Sequence, residues 1–203
     1  MRILRTILIA TLGLLVWRNA SADESIGLAT NAPACIELRD QFDSPQKLAF
    51  PTTNLTLLTI ADKKGSAQVD GWIAALKPRY SGRIAIRGLA DVGGAPGFVQ
   101  GRIRKGFQES CKYPVMLDWS GKICAQLGYK KDEANILMLD QDGHIEARFT
   151  GVATATAVAD ASAVLDKLLS PVQNKGHKSQ HTHDKKSEAG LTGDPPIGVC
   201  AER

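Results

Sequence analysis

Between Tyr113 and Gly151 the chain reads YPVMLDWSGKICAQLGYKKDEANILMLDQDGHIEARFTG, and this stretch limits the possible folds more than any other. Val115 to Leu117 is a short apolar strand. Ile123 to Leu127 makes one or two helical turns, closed by Gly128. Asn135 to Leu139 is an unbroken apolar run, as in a strand buried on both faces, and it ends at Asp140. Asp142-Gly143 turns the chain, after which Ile145, Ala147 and Phe149 alternate with Glu146 and Arg148. Two strands joined by so short a turn must be antiparallel neighbours.

The residues before this stretch supply the rest of a domain. Ile36 to Phe42 alternates as a half-buried strand does, and Lys47 to Phe50 can pair back on it as a hairpin. Leu55 to Ala61 (LTLLTIA) suits a central strand. Val69, Trp72, Ile73 and Leu76 then fall at helical spacing, with Pro78 expected to end the helix. Arg83 to Ala90 is the next strand, so the unit is strand, helix, parallel strand. Pro96 opens a further helix with Val99, Ile103 and Phe107 on one face. Its three glycines, Gly97, Gly101 and Gly106, make it weak. Arg102, Arg104 and Lys105 give it a basic, solvated face. A last helix carries Val158, Ala161, Leu165 and Leu168 inward and stops at Ser170-Pro171. Residues 23–34 are small and polar without period, and read as loose.

The two ends differ in kind from the middle. Arg2 and Arg5 precede the apolar run Ile7 to Trp17, and Ala20-Ser21-Ala22 offers a small-x-small cleavage site, so residues 1–22 read as a secretory signal. The run is too short to span a bilayer, which needs ~20 apolar residues, and no stable membrane anchor is expected after cleavage. The formal net charge of +4 falls to about +1 once Arg2, Arg5 and Arg18 leave, which gives no electrostatic case for nucleic acid. Residues 171–203 are rich in Lys, His, Ser, Gln and Gly and read as a disordered tail. The domain therefore spans 35–170, and the expected compartment is periplasmic or otherwise extracytoplasmic.

The order strand, helix, strand, helix, strand-strand hairpin, helix is the thioredoxin-fold plan: an α/β domain with a central mixed sheet, flanking helices and here an N-terminal hairpin. The run YPVMLDWSGKICAQLGY…ANILMLDQDGHI resembles the back half of extracytoplasmic thioredoxin-like reductases and peroxiredoxin relatives. Ile60-Ala61-Asp62 with Ser66-Ala67, Pro114 to Asp118 and Ala134 to Gly143 resemble the YtfJ-like family of periplasmic proteins. The resemblance implies fold and compartment and brings no catalytic residues. Redox members present Cys-x-x-Cys where the first strand meets its helix, and the helix N-terminus lowers the first thiol's pKa there. This chain has Asp62-Lys63-Lys64-Gly65-Ser66 at that place. It also has Glu133-Ala134 where the facing cis-proline is expected.

The expected function is a non-catalytic binding or accessory module, possessing another envelope protein as its candidate partner. At the strand–helix junction, Lys63, Lys64 and Ser66 beside free helix N–H groups form a candidate anion site. The alternative is a thiol-disulfide or peroxidase-like enzyme using Cys111 and Cys124, Lys112 favouring thiolate at the first. Four cysteines allow three disulfide connectivities. Secretion favours structural bonds, and the expected pairs are Cys111 with Cys124 and Cys35 with Cys200. A second alternative is metal binding by the tail, where His177, His181 and His183 suit zinc, copper or nickel. His144 is the only histidine of the domain, so no Ser/His/Asp constellation exists there. Trp72 reads as core.

Overall fold

The computed structural model describes residues 29–170. Residues 1–22, with the signal, and 171–203, with Cys200, His177, His181 and His183, lie outside the described residues. Seven strands and four helices follow one another: β1 (Cys35–Arg39), β2 (Pro45–Ala49), β3 (Leu55–Ala61), α1 (Ser66–Tyr80), β4 (Ile84–Asp91), α2 (Gly97–Ser110), β5 (Val115–Asp118), α3 (Lys122–Gln126), β6 (Asn135–Leu139), β7 (Ile145–Thr150) and α4 (Ala155–Leu168). The main sheet has the order β5-β4-β3-β6-β7, and β1 and β2 form a separate antiparallel hairpin. β3 runs parallel to β4, and β4 to β5, while β6 and β7 are antiparallel to their neighbours. This is the expected α/β arrangement of a mixed sheet flanked by helices.

Side-chain alternation divides the core between the two faces. Leu55 and Leu57 of β3 pack with Trp72, Leu76 and Tyr80 of α1 and Ala161 and Leu165 of α4. Leu58 and Ile60 point the other way, onto Ile36 and Leu48 of the hairpin and Cys124 and Leu127 around α3. Beyond β4, Ala90, Val115 and Leu117 pack with Phe107 of α2. No residue of α2 is fully buried, as its glycines and thin apolar face lead one to expect.

The strands end in a common way. Asp40, Asp62, Asp91, Asp118 and Asp140 each stand at or just past a strand's last residue. Each accepts the backbone N–H two residues on: from Phe42, Lys64, Gly93, Ser120 and Asp142, at 2.8 to 3.1 Å. An aspartate that bonds its own downstream backbone makes a turn without help from a partner strand.

Two expectations are corrected. Pro78 does not end α1, which continues to Tyr80. The two residues beyond the proline are held by tertiary bonds: the Tyr80 hydroxyl donates to the Ser162 carbonyl and the Asp166 carboxylate, and Arg79 pairs with Asp166. Residues 29–34 are not loose. Ile145 N donates to the Thr30 carbonyl, Ala32 N to the Gly143 carbonyl and Arg148 to the Ala29 carbonyl. The segment lies along the start of β7, a contact that its own composition does not announce.

Trp72 is wholly buried, donates through Nε1 to the Gly151 carbonyl at 2.9 Å, and tilts against Phe149. Trp72→Phe is expected to cost about 1 kcal/mol for the orphaned bond. Trp72→Ala is expected to cost about 3–5 kcal/mol for the cavity as well. Urea unfolding of both variants checks the difference.

Candidate functional site

The three parallel strands finish side by side, and Asp62, Asp91 and Asp118 stand at their carboxyl ends. In an open α/β sheet this edge is where ligands bind. At its centre lies the junction of β3 with α1.

Asp62 organises the junction. Its Oδ1 accepts from the backbone N–H of Lys64 and Gly65, at 2.9 and 2.8 Å, and its Oδ2 from that of Asp132 at 2.9 Å. Burial alone would raise its pKa. The hydrogen bonds from Gly65, Asp132 and Lys64, with the Tyr129 hydroxyl facing it, outweigh burial and hold the carboxyl below its ordinary value. The Tyr129 hydroxyl is itself buried without a hydrogen-bond partner of good geometry. Burial first, then the Asp62 carboxylate, push its pKa up.

The facing loop closes over this junction. Lys64 Nζ pairs with Asp132 Oδ2 at 3.0 Å, and Ala134 N donates to Gln68 Oε1 at 3.1 Å. Gly65 lies against the Glu133–Ala134 peptide. A Cβ at Gly65 would overlap the Glu133 carbonyl and sit 3.0 Å from Ala134 N. The segment that stands in place of the expected cis-proline therefore fills the space in front of the helix start.

The anion candidates are placed accordingly. Lys64 turns to Asp132, Ser66 Oγ donates to the Lys63 carbonyl at 2.9 Å, and Lys63 is exposed. A carboxylate of the chain, Asp62, already takes the N–H groups of the turn residues Lys64 and Gly65 just before α1. The sequence shows Asp62 plainly; its partners Asp132 and Tyr129, about 70 residues away, it does not show.

The expected Cys111–Cys124 disulfide is corrected, since both cysteines are free thiols. Cys111 caps the C-terminus of α2 and packs in the cluster of Val115 and Leu117. Cys124 is buried on α3, in the cluster of the opposite sheet face. Nearness in sequence across one short strand misled, because that strand separates the two faces. Burial, then the charges of Asp118 and Asp91, push the Cys124 thiol well above its ordinary pKa. Asp118 behaves in the opposite sense. Burial raises it, but bonds from Cys124 N, Ser120 Oγ and the thiol hold it low. Cys111 sits at the C-terminal end of α2. Cys35 is disulfide-bonded; Cys200, its expected partner, lies outside the described residues.

Among the described residues one group could offer several metal ligands, namely Asp140, Asp142 and His144, whose ligand atoms lie within 4.8 Å of one another. The turn already uses the ligand atoms of Asp140 and His144. His144 Nδ1 contacts Asp140 Oδ2 at 2.8 Å, and Asp140 Oδ1 accepts from the N–H of Asp142 and His144. The hydrogen bond to Asp140 and its charge raise the His144 pKa.

No family model and no curated relative matches the chain. Solved structures do. A candidate thioredoxin from Neisseria meningitidis superposes with a TM-score of 0.55 at 14% identity, over 75% of this chain and 99% of the other. A candidate thiol:disulfide interchange protein DsbE from Chlorobium tepidum gives 0.53 at 14%, over 70% and 99%. The exposed lipoprotein thioredoxin Etrx1 of Streptococcus pneumoniae gives 0.51 at 13%, over 66% and 99%. The chain has the thioredoxin fold. Among the described residues no helix is long and apolar enough to cross a membrane.

Gly65→Ala is expected to destabilise by about 2 kcal/mol through overpacking against backbone, as read by urea unfolding; a change below about 0.5 kcal/mol refutes the tight closure. His144 is expected to titrate above its ordinary 6.5, and Asp140→Asn to return it there, in an NMR titration assigned with His144→Gln. Because His144's folded value is the raised one and Asp140's the lowered one, the pair's stabilisation is complete between about pH 4 and about pH 6.5, is lost as pH rises through the folded His144 pKa, and is lost again as pH falls through that of Asp140.

Proposed function

We propose that this protein is an extracytoplasmic, YtfJ-like member of the thioredoxin-fold proteins that works as a non-catalytic binding or accessory module. The observation that carries the reading is the filled junction of β3 and α1. An aspartate takes the N–H groups of Lys64 and Gly65, in the turn just before the helix, where redox relatives are expected to hold a dithiol. The Glu133–Ala134 peptide packs on Gly65, leaving no room for a side chain in front of the helix. Thiol exchange needs an accessible thiolate, and neither requirement is met by Cys124, which is buried and held protonated.

The proposed compartment rests on the Arg2-Arg5 and Ala20-Ser21-Ala22 pattern and on the even cysteine count. An envelope protein is the partner class this reading favours; the near-neutral charge after signal removal argues against nucleic acid.

The test is enzymatic and chemical. The secreted, mature protein is expected to leave dithiothreitol-driven insulin reduction and peroxide consumption at their uncatalysed rates. An alkylating reagent is expected to modify native Cys111 well ahead of Cys124, which reacts only on unfolding. Turnover that disappears in Cys111→Ser or Cys124→Ser defeats the proposal and restores the thiol enzyme.

A further inference from the structure

Strand β4 has an edge that β5 leaves open. β5 pairs with Gly88 to Asp91 alone, whereas β3 covers the other edge from Ile84 to Ala90. Among the described residues, Ile84 to Arg87 therefore meet no strand on the β5 side. A groove of about 270 Å³ lies here, bordered by Gly88 and Pro114, where a longer β5 would run. Leu48, Ile73 and Ile86 give it an apolar lining. Lys47, Lys77 and Arg87 supply its charge, with no acidic residue among the groups that line it. An open edge above apolar pockets suits an added extended segment, which bonds through its backbone and buries alternate side chains. Three cations with no anion call for an acidic one.

We propose that the occupant is the chain's own segment 187–200, tethered by a disulfide between Cys200 and Cys35. Its sequence, SEAGLTGDPPIGVC, carries Glu188 and Asp194 with no basic residue, and Leu191, Ile197 and Val199 are apolar. It is thus complementary to the groove in charge and in polarity. Of the four cysteines, Cys35 is disulfide-bonded and Cys111 and Cys124 are free, which leaves Cys200 as the partner within one chain. The hairpin register brings that bond to the groove. Cys35 pairs with Ala49, and the two residues before Ala49, Leu48 and Lys47, line the groove. Ile197 stands three residues before Cys200, so at about 3.3 Å per residue it lies within about 10 Å of Cys200, and a disulfide sets the two Cys Cα atoms about 6 Å apart, which keeps Ile197 within about 16 Å of Cys35. Pro195-Pro196 keep the approach extended and cannot continue a helix. The segment covers an edge that would otherwise be open to foreign strands.

Hydrogen exchange with mass spectrometry on the full-length mature chain tests this. Wild type is compared with Cys200→Ser and with the charge reversal Glu188→Lys/Asp194→Lys. The amides of Ile84 to Arg87 are expected to exchange about tenfold faster in each variant, while β6 stays as protected as in wild type. Peptide mapping is expected to yield a Cys35–Cys200 link within one chain. Equal exchange in all three proteins overturns the proposal. So does a Cys35 link between two chains, or protection that rises with protein concentration, which would make a second copy the occupant.

Discussion

Strand β3 has no exposed residue, and its backbone is bonded along both edges, to β4 on one side and β6 on the other. A strand so placed must present apolar side chains to both faces and must meet cover on each. α1 and α4 supply it on one face; the hairpin and α3 supply it on the other. Every other element takes its position from this requirement, because unpaired backbone or uncovered side chains at the sheet centre would cost more than any surface contact returns.

A buried strand must also stop and turn without leaving its last polar groups stranded. The recurring aspartate at the strand ends meets that need locally, by accepting the backbone N–H that the turn exposes. At Asp62 the same device has a second consequence. The carboxylate is held by turn amides just before α1, beside the helix end where a ligand's negative charge, or a thiolate, would be stabilised by the helix dipole. Bonds from Asp132 and the packing of Gly65 on Glu133–Ala134 then fix the facing loop. What builds the turn also shuts the cleft.

Much of this was legible in the residues. β3 and β6 fall where the apolar runs stand, and the Asp142-Gly143 turn fixes β6 and β7 as antiparallel neighbours. The missing Cys-x-x-Cys is visible without any structure. Less visible was the fate of the sulfurs that remain. Cys111 and Cys124 flank a strand of four residues, and sequence distance suggested a bond between them. A strand, however, sends what precedes and follows it to whichever face its neighbours demand, and here those faces are opposite. Pro78 misled for a related reason: helix propensity is a weak prior, and Tyr80 anchored against α4 overrides it.

The sequence by itself determined the periods of the elements, the places where the chain turns and the absence of a dithiol. These depend on residues within a few positions of one another. Only the tertiary structure decided that the β3–α1 junction is closed, that Lys64 is spent on Asp132, that Cys124 is held protonated beside Asp118, and that half of β4 is left with an open edge. Each of those outcomes is set by groups brought together across a sheet or by the length at which a neighbouring strand stops, and neither quantity is written in a local pattern.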